Sequence, residues 1–307
     1  GPGFKVVDKV EHRISMATYL GGKSETNTDR KEITKRNLCM PLDGFVLSNV
    51  LSATECNNLL DGLRKSGHNY TFWNPEAPNV TDTRNVDTVE IYDQTLANEI
   101  WNRVKDNVTK HIDIPKENDI WEYGLEGRWV ACGINPRLLF ARYSSGGHFS
   151  PHTDGHNVID FNTRSLHSVI IYLNDCKEGG GTQMFYPIDY KDKKFVKDAK
   201  GRFRFDESKV ADKALCRSGS MLSFSQHIMH EGEPVGEGCV KYIIRTDVMY
   251  VRTPKVCTSE KDLQAYDCYI KAGEAESRKE YDSACNLYSK VSRLSEKLAR
   301  MLNIYEG

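Results

Sequence analysis

The sequence predicts a mainly β domain, a sandwich or barrel, with helices on either side of it. Three observations carry that prediction. Short runs rich in β-branched and aromatic residues crowd residues 130–250: Arg137–Tyr143, Ser168–Leu173, Thr182–Tyr186, Ser220–Phe224 and Lys241–Val251. Gly, Pro, Asn and Asp separate them, which is the punctuation of turns between closely spaced strands. Helical periodicity appears only before and after that stretch.

Taken in order, residues 4 to about 20 form a short element whose type the pattern leaves open. Residues 21–36 (GGKSETNTDRKEITKR) are polar enough for a mobile loop. Within it, Gly22-Lys23-Ser24 has the tail of a phosphate-binding loop, but that pattern needs Gly where Ala17 stands. Ser52-x-x-Glu55 is a capping box ahead of Cys56, Leu59, Leu60 and Leu63, one face of a helix ending near Gly67. A second helix is expected from about Gln94 to Lys110, with Leu96, Ile100, Trp101, Val104 and Val108 at helical spacing. Among the strands, residues 188–213 insert nine Lys/Arg and six Asp/Glu. A solvated hairpin or loop is the favoured reading of that insert, a substrate-facing lid the sharper one. After Pro254, residues 259–271 and about 277–305 read as a helical hairpin, with Tyr281, Ala284, Cys285, Tyr288, Val291, Leu294, Leu298 and Met301 on one stripe. It looks superficially like a tetratricopeptide unit, yet the diagnostic positions do not register and there is no second copy. It reads as a packing or dimerisation appendage for self-association or partner docking. The organisation is thus a polar extension over 1–41, opening on Gly1-Pro2-Gly3 like a tag-cleavage scar, a central domain over 42–254, and a helical hairpin over 255–307.

Composition limits the function classes. The 307 residues carry 42 Lys/Arg against 43 Asp/Glu, a net charge of -1, which argues against a dedicated nucleic-acid binder. No apolar run has the length of a membrane helix. Nine scattered Cys, odd in number and without Cys-x-x-Cys, fit reduced thiols in an intracellular, cytoplasmic or nuclear, setting. Asn79-Val80-Thr81 and Asn107-Val108-Thr109 match the glycosylation pattern by chance on that reading.

The chemistry concentrates in Arg142-Tyr143-Ser-Ser-Gly146-Gly147-His148-Phe149-Ser150-Pro151-His152-Thr153-Asp154-Gly155. Side chains alternate along a strand, so His152 and Asp154 point the same way and can share one ion. His230, 78 residues on and just past a β-run, is the candidate third ligand. Two imidazoles and one carboxylate leave three positions of an octahedral ion open, the facial triad of non-haem Fe(II) oxygenases. A purely structural zinc site would be closed by four ligands. His148 and His156 are read as loop residues because Pro151 and the glycines preclude a helix; His12, His68 and His111 are read as solvent-facing or structural.

Further matches extend the pattern: Ile171-Tyr172-Leu173-Asn174-Asp175, Glu178-Gly179-Gly180-Gly181-Thr182, His230 followed by Gly232-Glu233-Pro234-Val235, and the block Lys241–Tyr250. With them, roughly residues 42–252 resemble the 2-oxoglutarate/Fe(II) oxygenase superfamily in its prolyl 4-hydroxylase-like branch. The resemblance implies a double-stranded β-helix, a jelly-roll core buttressed by helices. It implies Fe(II) on His152, Asp154 and His230, with 2-oxoglutarate and O2 as co-substrates and ascorbate as reductant. Lys241 stands where the family places the cation for the distal 2-oxoglutarate carboxylate, and Tyr172 where relatives hydrogen-bond it. Tyr143 would lie over the keto-acid end. Arg245, on the same strand face as Lys241, is the alternative anion binder, because the stretch from His230 to Lys241 is one residue longer than in collagen-type enzymes. Arg164, His167, Trp73 and Arg84 are candidate substrate contacts, each with an ordinary packing role as its alternative; His227 is a candidate substrate contact or a rival metal ligand, with the sequence after His230 favouring His230; Arg142 is expected to pack or pair at the barrel rim.

The expected activity is hydroxylation of a C–H bond, on a prolyl or other side chain of a protein or peptide, with release of succinate and CO2. The alternatives are the same chemistry on a free amino acid or small metabolite, or a non-catalytic barrel serving as a protein-binding module. A nucleic-acid demethylase is disfavoured by the charge balance and by the missing Arg-x-Asn-x-x-x-x-Arg ending. A halogenase is disfavoured by Asp154.

Overall fold

The computed structural model describes residues 15–21, 31–187 and 195–304. Residues 4–14 of the first sequence-predicted element, His12, Gly22-Lys23-Ser24 and the first residues of the charged insert, 188–194, lie outside them.

The polar segment expected as a loop ends in a strand. β1 (Thr34–Asn37) pairs antiparallel with β2 (Gly44–Ser48), and its Lys35 and Arg36 give the sheet a charged edge. α1 (Ala53–Lys65) starts at the expected capping box: the Glu55 amide donates to Ser52 Oγ at 3.1 Å and the Ser52 amide to the Glu55 carboxylate at 2.9 Å. β3 (Thr71–Phe72), β4 (Arg84–Asn85) and β5 (Asp87–Tyr92) follow. α2 (Gln94–Val104) is capped by Asp93 and stops short of Lys110. Val108 continues the apolar rhythm but packs from a turn, and β6 (His111–Ile114) begins at once. Arg103 of α2 grips the Glu55 carboxylate with two nitrogens at 2.9 and 3.0 Å, tying the helices together.

Then come β7 (Gly127–Ile134), β8 (Arg137–Tyr143), β9 (His148–His152), β10 (Val158–Asp160), β11 (Thr163–Tyr172), β12 (Thr182–Phe185), β13 (Val196–Lys197), β14 (Phe203–Arg204), β15 (Val210–Ala214), β16 (Met221–Ser225), β17 (His230–Gly232) and β18 (Lys241–Arg252). They form two facing antiparallel sheets, with β13–β14 as a separate hairpin. The larger runs β1-β2-β16-β11-β18-β8-β5-β3, with β6, β7 and β10 attached; the smaller runs β15-β12-β17-β9-β4. This is the jelly-roll core that the sequence predicts. The charged insert is only partly a solvated hairpin, because its last segment, β15, pairs with β12 in the smaller sheet.

Side-chain alternation divides the larger sheet between two cores. Leu138, Phe140, Val169, Ile171 and Ile244 face outward onto Leu59, Leu63, Leu96 and Ile100 of the helices. Ala141, Tyr143, Ile170, Tyr172 and Ile243 face inward with Met184, Leu222 and Phe224. Both faces are covered, which explains the nearly continuous apolar run of β11.

The C-terminal pattern resolves into α3 (Glu260–Ser277), α4 (Tyr281–Leu294) and α5 (Glu296–Met301). The long second helix expected to 305 breaks at Ser295, which turns extended and caps α5 through the Leu298 amide. Phe161, Cys257, Ala265, Val291 and Leu298 form a small core that joins these helices to the barrel. No described helix is long and apolar enough to cross a membrane.

Candidate metal centre and active site

The three residues expected from the sequence to bind metal converge between the sheets because β9 and β17 are neighbours. His230 pairs directly with His152, whereas Gly232 pairs with Phe149. One residue of β17, Glu231, therefore opposes two of β9, a bulge at Ser150–Pro151. The extra residue brings both Phe149 and His152 to the inner face, where their rings stack with centroids 3.6 Å apart. Asp154 lies just past β9, with its amide bonded to the Gln226 carbonyl at 3.1 Å.

Each donor atom is pre-set. His152 Nδ1 lies 2.7 Å from the Ser150 carbonyl and His230 Nδ1 lies 2.9 Å from the Ile228 carbonyl. A carbonyl only accepts, so each Nδ1 carries the proton and each Nε2 presents a lone pair. His152 Nε2 is 3.5 Å from Asp154 Oδ1, and His230 Nε2 is 3.6 Å from Oδ2. One donor atom from each of the three residues lies within 4.8 Å of the others. Burial, reinforced by His152, pushes His230 down to about 4, so it is a neutral ligand at physiological pH. Burial also pushes the Asp154 carboxyl up, but Arg245, then His230 and His152, outweigh it and hold the group well below the usual carboxylate range. Two imidazoles and one carboxylate are a donor set that fits Fe(II) with open positions.

These three residues line a cavity of about 490 Å³. Lys241 lies at the floor, 2 % exposed, at the start of β18. Its Nζ sits 5.0 Å from the Tyr143 ring centroid and 5.6 Å from that of Tyr172. Among the described residues no carboxylate pairs with it. Burial lowers its pKa, opposed by Cys216, Cys176 and Glu233. Tyr172 Oη is 2.7 Å from Thr182 Oγ1, and Thr182 and Tyr143 also line the cavity. Arg245 behaves differently. It donates to Asp154 Oδ2 at 3.0 Å, to Asp247 Oδ1 at 2.6 Å and to Ser168 Oγ at 2.7 Å, so its charge is already matched. Ser168 Oγ in turn donates to Asp154 Oδ2 at 2.5 Å.

The substrate candidates scatter. Arg84 lines the cavity, with its guanidinium 4.4 Å from the Phe149 ring centroid. Trp73 does not line it; its indole donates to the Arg84 carbonyl at 2.9 Å and so steadies β4. His227 lies outside the ligand group, its ring against Trp121 at 4.4 Å and His156 at 5.1 Å. Arg164 is drawn to Glu122 at 3.1 Å, away from the cavity. His167 is fully buried 3.2 Å from Asp43. His148 is a buried strand residue rather than a loop residue, bonded to the Asp82 carbonyl. Arg142 pairs with Asp87 at 2.8 Å.

Residues that sequence reasoning did not single out complete the site. Ser168 has the same strand parity as Ile170 and Tyr172, so alternation could have flagged it. Phe149 could not be reached that way, since only the bulge turns it inward. Gln226 and Asn157, which hold Asp247 at 3.0 and 2.6 Å, gave no signal.

The chain can be compared with known proteins on this geometry. Among curated proteins, none matches it in sequence. In fold it is similar to a Pseudomonas putida prolyl-4-hydroxylase (15% identity, 69% of this chain and 93% of that one, TM-score 0.41). It is likewise similar to the viral collagen prolyl hydroxylase of Paramecium bursaria Chlorella virus-1, solved with 2-oxoglutarate (16%, 69% and 98%, TM-score 0.40). A third is the Trichoplax adhaerens prolyl hydroxylase, solved with a hypoxia inducible factor peptide fragment (17%, 69% and 85%, TM-score 0.43). Residues 138–246 match the model of the 2OG-Fe(II) oxygenase superfamily. The three candidate ligands, Lys241 and Arg245 fall inside that match.

Proposed function

We propose that the protein is an Fe(II)- and 2-oxoglutarate-dependent dioxygenase, prolyl 4-hydroxylase-like, that hydroxylates a C–H bond of a protein or peptide side chain. The observation that carries this reading is the combination in one cavity of three convergent candidate ligand atoms and a buried Lys241 that pairs with no carboxylate among the described residues. A lysine so buried is costly unless an anion joins it, and a dicarboxylate reaching from the metal would do so.

Fe(II) on the triad would supply the O2 chemistry that couples decarboxylation of 2-oxoglutarate to succinate with hydroxylation. The protein's own part is positional. Ser150 and Ile228 fix the two imidazoles through their Nδ1 protons. Arg245 and Ser168 occupy Asp154 Oδ2, so Oδ1 would be the oxygen free to hold the metal. Lys241, with Thr182 and Tyr172 beside it, holds the distal carboxylate of 2-oxoglutarate. Ile170, Ile243, Leu139 and Phe149 wall the cavity and limit water. Arg84, at the cavity wall, is the substrate contact we retain from the sequence. The prolyl assignment rests on the sequence resemblance alone; a free amino acid or metabolite substrate is the second reading. Ascorbate is the expected reductant, and nine free cysteines favour an intracellular setting.

The test is succinate formation from 2-oxoglutarate with Fe(II) and ascorbate, followed by a search for +16 Da peptides in cells with and without active enzyme. Uncoupled turnover that is absent in wild type, or that survives His152→Ala, overturns the enzyme reading. Turnover stimulated by free amino acids but by no peptide moves the substrate to the second reading.

A further inference from the structure

Beneath Lys241 lies a second cluster that the proposed reaction does not use. Cys176 and Cys216 are 40 residues apart in sequence and both buried, at 7 % and 3 % exposure. The chain folds their backbones together: the Cys176 amide donates to the Cys216 carbonyl at 3.2 Å. A direct amide–carbonyl bond of that length holds two Cα atoms about 5–6 Å apart, within the span a disulfide bridges. The Cys216 thiol donates to the Asn174 carbonyl at 3.3 Å, and each cysteine side chain shifts the titration of the other. The Cys176 sulfur also lies 3.8 Å from the Val240 carbonyl, next to Lys241. A Cβ added to Gly180 would touch both the Cys176 sulfur, at 3.0 Å, and Lys241 Cδ, at 3.6 Å. The two thiols, the glycine turn and the lysine stem are therefore one packed layer.

We propose that Cys176 and Cys216 are a peroxide-oxidisable pair whose disulfide weakens 2-oxoglutarate binding at Lys241. The clause about Lys241 rests on the function proposed above; formation of the disulfide does not. The chemistry balances with a hydroperoxide as oxidant. The Cys176 thiolate attacks one peroxide oxygen, the O–O bond breaks, and a sulfenic acid and water result. The Cys216 sulfur then attacks the sulfenic sulfur, the S–S bond forms, and a second water leaves with the Cys216 proton. The two sulfurs together lose two electrons and the peroxide gains them.

The assignment of Cys176 as attacking sulfur follows from its surroundings. The bond from Cys216 lowers its pKa to about 7 against the opposing effect of burial, with Lys241 adding to the lowering. Cys216 is pushed up by the same bond and by burial, which suits it to remain the resolving thiol. The link to binding is electrostatic. Cys216 and Cys176 are two of the three groups that favour the charged form of Lys241 against burial, Glu233 being the third. Oxidation removes the Cys176 thiolate, so Lys241 gives up its proton more readily, and a neutral amine is a poor partner for a carboxylate.

The experiment treats the full chain with hydrogen peroxide, digests it without reduction, and searches by mass spectrometry for a Cys176–Cys216 cross-linked peptide 2 Da lighter than its parts. In parallel, 2-oxoglutarate is titrated into the Mn(II)-loaded reduced and oxidised protein. We expect the cross-link in wild type, its absence in Cys176→Ser and Cys216→Ser, and a loss of affinity of about tenfold that dithiothreitol restores. A cross-link through Cys239 instead, or only sulfinic acid at Cys176, overturns the pairing. The correct cross-link with unchanged or tighter binding overturns the coupling. If reduced protein binds 2-oxoglutarate equally well after Lys241→Met, it is the Lys241 assignment that fails, and the cross-link result stands separately.

Discussion

Replacing Lys241 by Met separates two effects that the cavity floor combines. Met keeps the length of the stem and removes the charge. The lysine is 2 % exposed, and among the described residues two ring faces, two cysteines and Glu233 lie around its ammonium. Removing it relieves a desolvation cost, so Lys241→Met is expected to raise stability by about 1 kcal/mol, roughly 2 °C in Tm for a chain of this size. Binding moves the other way. A charge-assisted bond to a carboxylate contributes about 2 kcal/mol, so the 2-oxoglutarate Kd should rise roughly thirtyfold. The pH dependence has a definite sign. Burial lowers the Lys241 pKa from its ordinary 10.5. Below the lowered value, folded and unfolded chains both hold the proton and the folded chain bears the full cost. As pH rises from there towards 10.5 the folded chain sheds the proton first, and wild type gains stability on the variant. The assays are thermal unfolding across that range and titration of 2-oxoglutarate into Mn(II)-loaded protein. Arg245→Met is the control. It uncovers Asp154 and Asp247 and should cost about 3 kcal/mol of stability, the loss expected when one partner of a buried ion pair is removed. A Lys241→Met protein that is less stable and binds 2-oxoglutarate within about twofold of wild type, while Arg245→Met loses binding, would refute the reasoning.

Two further outcomes follow from the geometry. His152→Ala, Asp154→Ala and His230→Ala should each weaken Fe(II) or Co(II) binding by about a hundredfold or more, while His227→Ala, whose ring packs on Trp121, should leave it unchanged by calorimetry. Gly179→Ala should cost about 3 kcal/mol in urea unfolding, because φ is +62° and the new Cβ would lie 2.0 Å from the Pro234 carbonyl; Gly133→Ala, with open space around it, should stay within about 0.5 kcal/mol.

The parts of this molecule that were legible in the sequence are those governed by short-range rules. Ser52 and Glu55 announce α1 because a capping box is a local hydrogen-bond exchange. Arg137–Tyr143 reads as a strand because its residues must satisfy two covered faces. His152, Asp154 and His230 are legible as donor types with a characteristic spacing. What was hidden depends on register and on pairing across the fold. The bulge that turns Phe149 inward exists only because β17 supplies one residue where β9 supplies two. Arg245 and Lys241 share a strand face, yet one meets two carboxylates and the other none, and nothing within β18 distinguishes them. Arg164, His167 and His227 are the right residue types near the right strands, and they turn to Glu122, Asp43 and Trp121, partners distant in sequence or unremarkable by composition. The helix expected to run to Lys110 illustrates the converse: Val108 keeps the period while the backbone has already turned.

β18 supplies the cofactor-facing positions Lys241, Ile243 and Arg245 in its first half and meets β7 and the Phe161 core in its second. Its pairing with β8 is unbroken from Lys241 to Arg245, whereas its irregularities, opposite Ser165–His167 and at Met249–Tyr250, fall beyond that point. A slip of one residue inverts every side chain of a strand. The strand is thus phase-locked where parity decides whether an ammonium faces a carboxylate or a leucine, and has slack only downstream. Length changes in the outer half can be absorbed at the existing kinks, and one inserted residue between Lys241 and Arg245 would turn the cavity inside out.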